Sequence, residues 1–286
     1  MRKTSIIACI YDCDQTLIPE FMQEPMLRHL KVKPADFWTD TKQLREAAAA
    51  AGTYVNPENS YMINLLKYIE EKKIEPLSNS DLRNYGRMVT LYQGLPDFFL
   101  RTKRLVQEQY QGENITLEHY IISAGLRQMI EGSSLNVKGA IDGIFASEFL
   151  EHQGIIRWPC RTVGSTEKTR YLFEINKGVN VEPGNDVNYH MPAEKRRIPF
   201  ENMIYVGDGF TDIPCMSLTL KQNGESLGVY DPSRSQAHPE TQKLLRDGRI
   251  SNLVQADYRE NGAASQAIMQ LIAKAAERII HQRRSA

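Results

Sequence analysis

Two aspartates separated by one residue follow the first apolar segment of the sequence. Residues 5–11 are almost continuously apolar, and the motif DCDQT comes directly after them with Asp12, Cys13 and Asp14. Alternate side chains of a strand point the same way, so an extended chain presents the two acids on one face and turns Cys13 toward the core. Two carboxylates there can hold a hard cation, and one can act as a nucleophile. A DxD pair at a strand end is equally typical of a turn, so this motif alone leaves both interpretations open.

Two later motifs also follow short apolar runs. The segment ISAG supplies Ser123 and Ala124, and a hydroxyl with neighbouring backbone N–H groups suits a phosphate. The segment VGDGFTD supplies Asp208 between two glycines and Asp212 four residues later. Two further carboxylates would complete an oxygen-rich site of the kind that Mg²⁺ prefers. Each motif alone is also consistent with an ordinary turn.

A lysine provides the fourth element of this pattern. Thr166 is a possible helix cap, which would place Lys168 in the first helical turn. A cation at the positive end of a helix dipole is unfavourable unless an anion lies there to be neutralised. Lys168 alone would be interpreted as a surface residue. In combination, the four segments supply the hydroxyl, cation and carboxylates that phosphoryl transfer requires.

The elements that must position these groups alternate between strands and helices. Short apolar runs predict strands over 5–11, 119–122, 203–206 and 226–230, and helical spacing predicts helices over 96–111, 166–177, 212–222 and 263–282. This alternation indicates an α/β fold with a Rossmann-like parallel sheet and helices on both faces. Ligands of such sheets bind outside the carboxyl ends of the strands, where three of the four segments fall.

Residues 23–90 show helical spacing with no convincing strand. We therefore predict an α/β core over 1–20 and 91–286 and an inserted all-helical cap over 21–90. Residues 178–199 are rich in proline and charge, which predicts a surface loop.

Composition excludes several classes of function. Lys and Arg together number 35, as do Asp and Glu, so the net charge is zero and does not favour nucleic acid or an anionic membrane as a partner. The apolar stretch near the N-terminus is too short for a signal peptide or a membrane span. The four cysteines show neither disulfide-framework nor CxxC spacing, which favours reduced thiols and a cytoplasmic protein. The sequence gives no indication of oligomeric state.

The ordered motifs resemble those of haloacid dehalogenase superfamily phosphatases, and the helical insertion lies where that superfamily carries a cap. Cap type and spacing most resemble the phosphoserine phosphatase-like branch. The matching residues are Asp12, Asp14 and Thr16 in DCDQT, Ser123 in ISAG, Lys168, and Asp208 with Asp212 in VGDGFTD.

This resemblance implies a mechanism and a set of ligands. Asp12 would attack phosphorus to form an aspartyl phosphate, and Asp14 would act as general acid and then general base. Mg²⁺ would be the cofactor, bound by Asp12, Asp208 and Asp212 and by the backbone carbonyl of Asp14. The remaining matched residues would bind the substrate phosphate, namely Thr16, Ser123, Ala124 and Lys168. The substrate would be a small phosphorylated metabolite.

Some positions depart from the pattern of the family. Gln15 stands where these phosphatases usually have Gly or Ser. Thr211 and Ala124 stand where the phosphoserine branch usually has Asn and Gly, respectively. Glu20 lies near, but not at, its acidic position. These departures weigh against phosphoserine itself as the substrate. A phosphotransferase or mutase, a dehalogenase and an inactive phosphate-binding protein remain alternatives. In the insertion, Trp38, Tyr54 and Tyr61 could line a substrate pocket or pack the cap, and Arg28 and His29 could contact substrate.

Overall fold

The computed structural model of the protein describes residues 5–181, 186–234 and 237–285. Within these ranges seven strands form one sheet in the order β4-β3-β2-β1-β5-β6-β7. The pairs within the run from β3 to β7 are all parallel, and β4 is antiparallel to β3. The strands are β1 (Ser5–Tyr11), β2 (Ile115–Leu126), β3 (Gly143–His152), β4 (Ile155–Arg161), β5 (Met203–Gly207), β6 (Glu225–Tyr230) and β7 (Asn252–Gln255).

Helices cover both faces of this sheet, as the alternating sequence pattern predicts. In β1, Ile7, Cys9 and Tyr11 enter one hydrophobic cluster, and Ala8 and Ile10 enter the other. A continuous apolar run therefore buries both of its faces, which is typical of a central parallel strand. The helices are α1 (Gln23–His29), α2 (Pro34–Ala50), α3 (Pro57–Glu70), α4 (Asn79–Gly86), α5 (Asp97–Gln109), α6 (Arg127–Gly132), α7 (Glu167–Lys177), α8 (Ile213–Lys221), α9 (Ala237–Arg246) and α10 (Ala263–Ser285).

Helices α1 to α4 form the insertion between β1 and β2. Local sequence sets their beginnings: the Asn56 side chain accepts a hydrogen bond from the Glu58 N–H at the start of α3, and Ser78 forms a capping box with Asp81 at α4. The apolar side of the insertion joins the cluster that contains Ile7 and Tyr11. The prediction of an all-helical segment here is confirmed.

Helix α4 packs against α6 through a close backbone contact. A Cβ atom on Gly86 would overlap the carbonyl oxygen of Met129, and one on Gly132 would overlap that of Arg83. Only glycine allows the two helices to approach this closely. The insertion is thereby attached to the α/β layer at its α4 end.

The hairpin formed by β3 and β4 was absent from the sequence prediction. Its loop is Gln153-Gly154, with φ of 52° and 74°, between the paired residues His152 and Ile155. Two consecutive positive φ values define the type I′ turn that suits a two-residue hairpin. The hairpin makes the sheet mixed at this edge. Of the predicted loop over 178–199, residues 182–185 lie outside the described residues, as do residues 1–4.

Candidate active site

The site lies at the carboxyl ends of β1 and β5. The backbone N–H of Asp12 donates to the carbonyl oxygen of Val206 at 2.9 Å, which extends the parallel pairing by one residue beyond β1. This bond fixes Asp12 beside the turn that follows β5, where Asp208 and Asp212 lie. The Asp12 side chain is buried, and Cys13 lies in the core with 1% of its surface exposed. Cys13 belongs to a hydrophobic cluster, whereas Asp12 lines a cavity, so the prediction that Cys13 lies in the core is confirmed.

Lys168 is buried at the centre of the site. Its Nζ donates to Oδ1 of Asp12 at 2.7 Å and to Oδ1 of Asp212 at 2.8 Å, although it is 156 residues from the first of these. Only 1% of Lys168 is exposed. Burial alone would lower the pKa of this lysine, but the two carboxylates outweigh that effect and hold the pKa above its ordinary value. Lys168 is therefore a fixed cation.

Thr166 does not cap the helix that carries Lys168. It occupies the position before α7, but its side chain makes no capping hydrogen bond and its hydroxyl instead faces the Glu167 carboxylate. The prediction of a threonine cap was wrong, because the backbone of Thr166 is already helical, with φ of −84° and ψ of −32°, and lacks the extended conformation of a capping residue. The placement of Lys168 in the first turn is nevertheless confirmed.

Three carboxylates converge beside this lysine. Oxygens of Asp12, Asp208 and Asp212 all lie within 4.8 Å of one another. Asp212 is oriented by the Tyr205 hydroxyl, which donates to its Oδ1 at 2.7 Å. Hard oxygen donors at this spacing have the chemistry that Mg²⁺ requires. The cluster fits a divalent cation.

Asp14 lines the cavity that adjoins these carboxylates, but its own carboxylate is hydrogen-bonded to the backbone. Its Oδ1 accepts a hydrogen bond from the backbone N–H of Met22 at 2.9 Å. The next residue, Gln15, has a φ of 63° and turns the chain. Asp14 therefore lies outside the group in which Asp12 faces Asp208 and Asp212.

The two acids of DCDQT have different affinities for protons. Burial raises the pKa of Asp12 to about 6, against the attraction of Lys168. Burial also raises the pKa of Asp14 to about 8, and the charge of Asp12 adds to that shift. Asp14 is therefore the weaker acid of the two. Burial, followed by the charges of Asp12 and Asp212, also raises the pKa of Asp208.

The residues predicted to contact phosphate divide into two sets. Ala124 and Lys168 line the cavity. Thr16 and Ser123 are fully buried behind it. The Thr16 hydroxyl donates to Oδ1 of Asp208 at 3.5 Å, and Oγ of Ser123 accepts from the backbone N–H of Gly125 at 3.0 Å. In this structure both hydroxyls therefore support the loops.

A cavity of about 380 Å³ extends from Asp12 and Asp14 toward the helical insertion. Trp38 and Tyr61 line it, whereas Tyr54 is 83% exposed and lies outside the lining. Trp38 and Tyr61 both line the cavity and pack against the hydrophobic core, so both predicted roles apply to them. The cavity is also lined by Phe21, Gln23 and Glu58, which were not predicted because no motif in the sequence marks them.

The fold and the site together define an α/β protein with a carboxylate cluster at the carboxyl ends of its central parallel strands. The chain belongs to the haloacid dehalogenase-like hydrolase family, which matches residues 9–217. The family resemblance of the motifs is thereby confirmed. Among the described residues, no helix is both long and apolar enough to cross a bilayer.

Other proteins are similar to this chain over most of its length. An uncharacterized protein of Borreliella burgdorferi is 29% identical over 290 residues, covering 95% of this chain and 98% of that protein. The fold is similar to that of a HAD family hydrolase, t0658, from Salmonella enterica serovar Typhi (TM-score 0.56, 16% identity, 92% of this chain and 69% of that one). It is also similar to phosphoserine phosphatase in its apo form (TM-score 0.55, 14% identity, 90% and 97%). At these identities the solved structures establish the fold alone.

Proposed function

We propose that the protein is a Mg²⁺-dependent phosphomonoester hydrolase that acts on a small phosphorylated metabolite through an aspartyl phosphate at Asp12. The observation that carries this proposal is the buried ion pair between Lys168 and Asp12 within a cluster of carboxylates. Structural similarity to phosphoserine phosphatase supports the reaction class. The unpaired cysteines fit the expected cytoplasmic location.

The residues that would hold Mg²⁺ are Asp12, Asp208 and Asp212, and the family resemblance adds the backbone carbonyl of Asp14. When bound, the ion would neutralise negative charge and polarise a phosphoryl oxygen. Lys168 would provide the second positive charge, so a phosphate dianion could approach the Asp12 carboxylate. The position of Ala124 in the cavity lining supports contact between its backbone and the phosphate.

The two acids would then perform two half-reactions. An oxygen of Asp12 attacks phosphorus, the ester P–O bond breaks, and Asp14 gives its proton to the departing oxygen to release an alcohol. Asp14, now ionised, takes a proton from water as the water oxygen attacks the same phosphorus. The bond between phosphorus and Asp12 breaks, which releases inorganic phosphate and restores both acids. The weaker acidity of Asp14 supports its role as the proton donor.

We propose further that residues 21–90 act as the specificity cap of a core formed by 1–20 and 91–286. Helices α2 and α3 contribute Trp38, Glu58 and Tyr61 to the cavity, opposite the catalytic acids. A hydrogen bond of 2.9 Å from the Tyr61 hydroxyl to the carbonyl oxygen of Ala124 joins the insertion to the predicted phosphate loop. The insertion is therefore well placed to select the leaving group.

A phosphatase screen across phosphorylated metabolites with Mg²⁺ tests the function, and mass spectrometry of acid-quenched protein tests the intermediate. We expect turnover and a phosphoryl adduct on Asp12, and neither in Asp12→Asn. The exposed acid Asp247 provides a control, Asp247→Asn, which should behave as wild type. Near-normal turnover by Asp12→Asn would exclude the covalent mechanism.

The same assays separate the alternatives. Loss of activity in chelator, restored by Mg²⁺, would exclude a metal-independent dehalogenase. Transfer of phosphate to an added alcohol in preference to water would identify a phosphotransferase. Binding of beryllium fluoride and Mg²⁺ without any turnover would indicate an inactive binding protein.

A further inference from the structure

The wall of the cavity beyond the catalytic acids is aromatic. Phe21, Trp38 from α2 and Tyr61 from α3 all line it. The ring centroids of Phe21 and Trp38 are 5.0 Å apart with the planes inclined by 56°, and those of Trp38 and Tyr61 are 6.3 Å apart and inclined by 59°. Neither pair of rings is parallel, so they do not form a slot between two parallel faces. The faces of such rings carry negative potential and attract cations.

Charged groups along the cavity are almost entirely acidic. Among the described lining residues the cation is Lys168, and its Nζ is already bonded to two carboxylates. Arg28, which the sequence left as a possible substrate contact, is absent from the lining and donates to both oxygens of Glu20 at 2.6 and 2.8 Å. A leaving group with a carboxylate or a second phosphate would therefore find no cationic partner there.

Two side chains of the same wall offer oxygen acceptors. Gln23 is 3% exposed, and its Oε1 has no hydrogen-bond partner among the described residues. Glu58 is half-buried and accepts one bond, from the Ser165 hydroxyl at 2.9 Å. A buried acceptor without a donor is costly, so a ligand N–H at Gln23 would be stabilising.

We propose that the substrate is the phosphate monoester of a small amino alcohol, with a cationic nitrogen and no carboxylate. The phosphate would lie at Asp12, and the cation would contact the faces of Trp38 and Phe21 near Glu58. Gln23 would accept from a primary ammonium, whereas the rings alone would hold a quaternary one. This inference rests on the proposed phosphatase function and specifies the leaving group that the site selects.

The test compares kcat/KM for phosphate esters that differ in one property. Choline phosphate and 3,3-dimethylbutyl phosphate have the same shape but differ in charge, and we expect a preference of roughly tenfold for the cation. Ethanolamine phosphate should exceed O-phosphoserine by at least as much, because only the latter adds a carboxylate. Equal kcat/KM values within both pairs would overturn the proposal. So would a kcat/KM for a nucleoside monophosphate above those of all four esters.

A pair of tryptophan variants links the preference to the wall. Trp38→Leu should reduce the ratio of kcat/KM for choline phosphate to kcat/KM for its neutral isostere to near one. Trp158→Leu, at the exposed tryptophan of the β3–β4 hairpin, should leave that ratio unchanged. The ratio within one preparation is independent of the amount of folded protein, and Trp38→Phe provides a milder change. An unaltered ratio in Trp38→Leu would contradict the assignment.

Activity on p-nitrophenyl phosphate with Mg²⁺ keeps the two proposals separate. If this ester is hydrolysed without any preference for cationic esters, the phosphatase function holds and the substrate class is wrong. If no ester is hydrolysed, the proposed function itself fails.

Discussion

Replacement of Asp12 by asparagine should abolish turnover and at the same time stabilise the metal-free protein. Lys168 is the cation bonded within a buried cluster of three carboxylates, so negative charge is in excess. Burial raises the pKa of Asp12 from 3.8 to about 6. At 1.36 kcal/mol per pKa unit, ionised Asp12 costs the folded state about 3 kcal/mol at neutral pH. Asparagine keeps the shape without the charge, and Asp212 still pairs with Lys168.

The assay is urea unfolding in chelator, with Asp247→Asn as the control for loss of one exposed charge. We expect Asp12→Asn to raise the free energy of unfolding by up to about 3 kcal/mol at pH 7.5, and Tm by roughly 6 °C. Because the folded pKa is the higher one, the wild type carries no penalty below about pH 4 and acquires it as the pH rises to about 6. The advantage of the variant should therefore disappear at pH 4. A variant less stable than wild type at pH 7.5, or an advantage that is independent of pH, would refute this reasoning.

Three further changes test other parts of the structure. Lys168→Met should reduce kcat/KM by about 10²- to 10³-fold, and a reduction below about threefold in steady-state assays would point to another cation. Because the change leaves buried carboxylates unpaired, it should also lower the free energy of unfolding of the metal-free protein by about 3–5 kcal/mol. Burial lowers the pKa of His119 to about 3, so the folded protein resists protonation and loses stability as the pH falls below the ordinary value of 6.5. Between pH 7 and pH 5 the free energy of unfolding of the wild type, measured in urea, should fall by about 2 kcal/mol more than that of His119→Gln. Equal decreases would contradict the lowered pKa of His119. Gly132→Ala forces a methyl group into the Arg83 carbonyl and should cost about 1–3 kcal/mol in the same assay, whereas Gly112→Ala, with open space around its Cβ, should change little.

The central part of the fold can be predicted from sequence because its strands are uninterrupted runs of apolar residues. The apolar run 5–11 buries both faces of β1, and the apolar runs before Ser123 and Asp208 belong to its two neighbours, β2 and β5. Parallel strands bring their carboxyl ends to one edge, so motifs about 100 residues apart become adjacent. The hairpin was missed because its strands are half-exposed: Leu150 is 53% and Trp158 is 54% exposed. Its turn pair, Gln153-Gly154, was the available signal.

Contacts within the site are less predictable than its motifs. DCDQT and VGDGFTD identify the carboxylates, but the bond from Lys168 to Asp12 depends on how α7 packs against the sheet. Gln23 and Glu58 reach the cavity only because α1 and α3 fold over it, and no local pattern encodes that placement. The carboxylates at strand ends can be predicted from sequence, whereas the cavity-lining residues on packed helices require the structure.

The glycine contact between α4 and α6 fixes one end of the insertion against the α/β layer. Backbone atoms meet there without intervening side chains, so a displacement at this end would require the two helices to separate. We therefore expect any opening of the cavity to displace α2 and α3, which carry Trp38 and Tyr61, more than α4. Such a movement would also separate the aromatic side chains that we propose to discriminate among substrates.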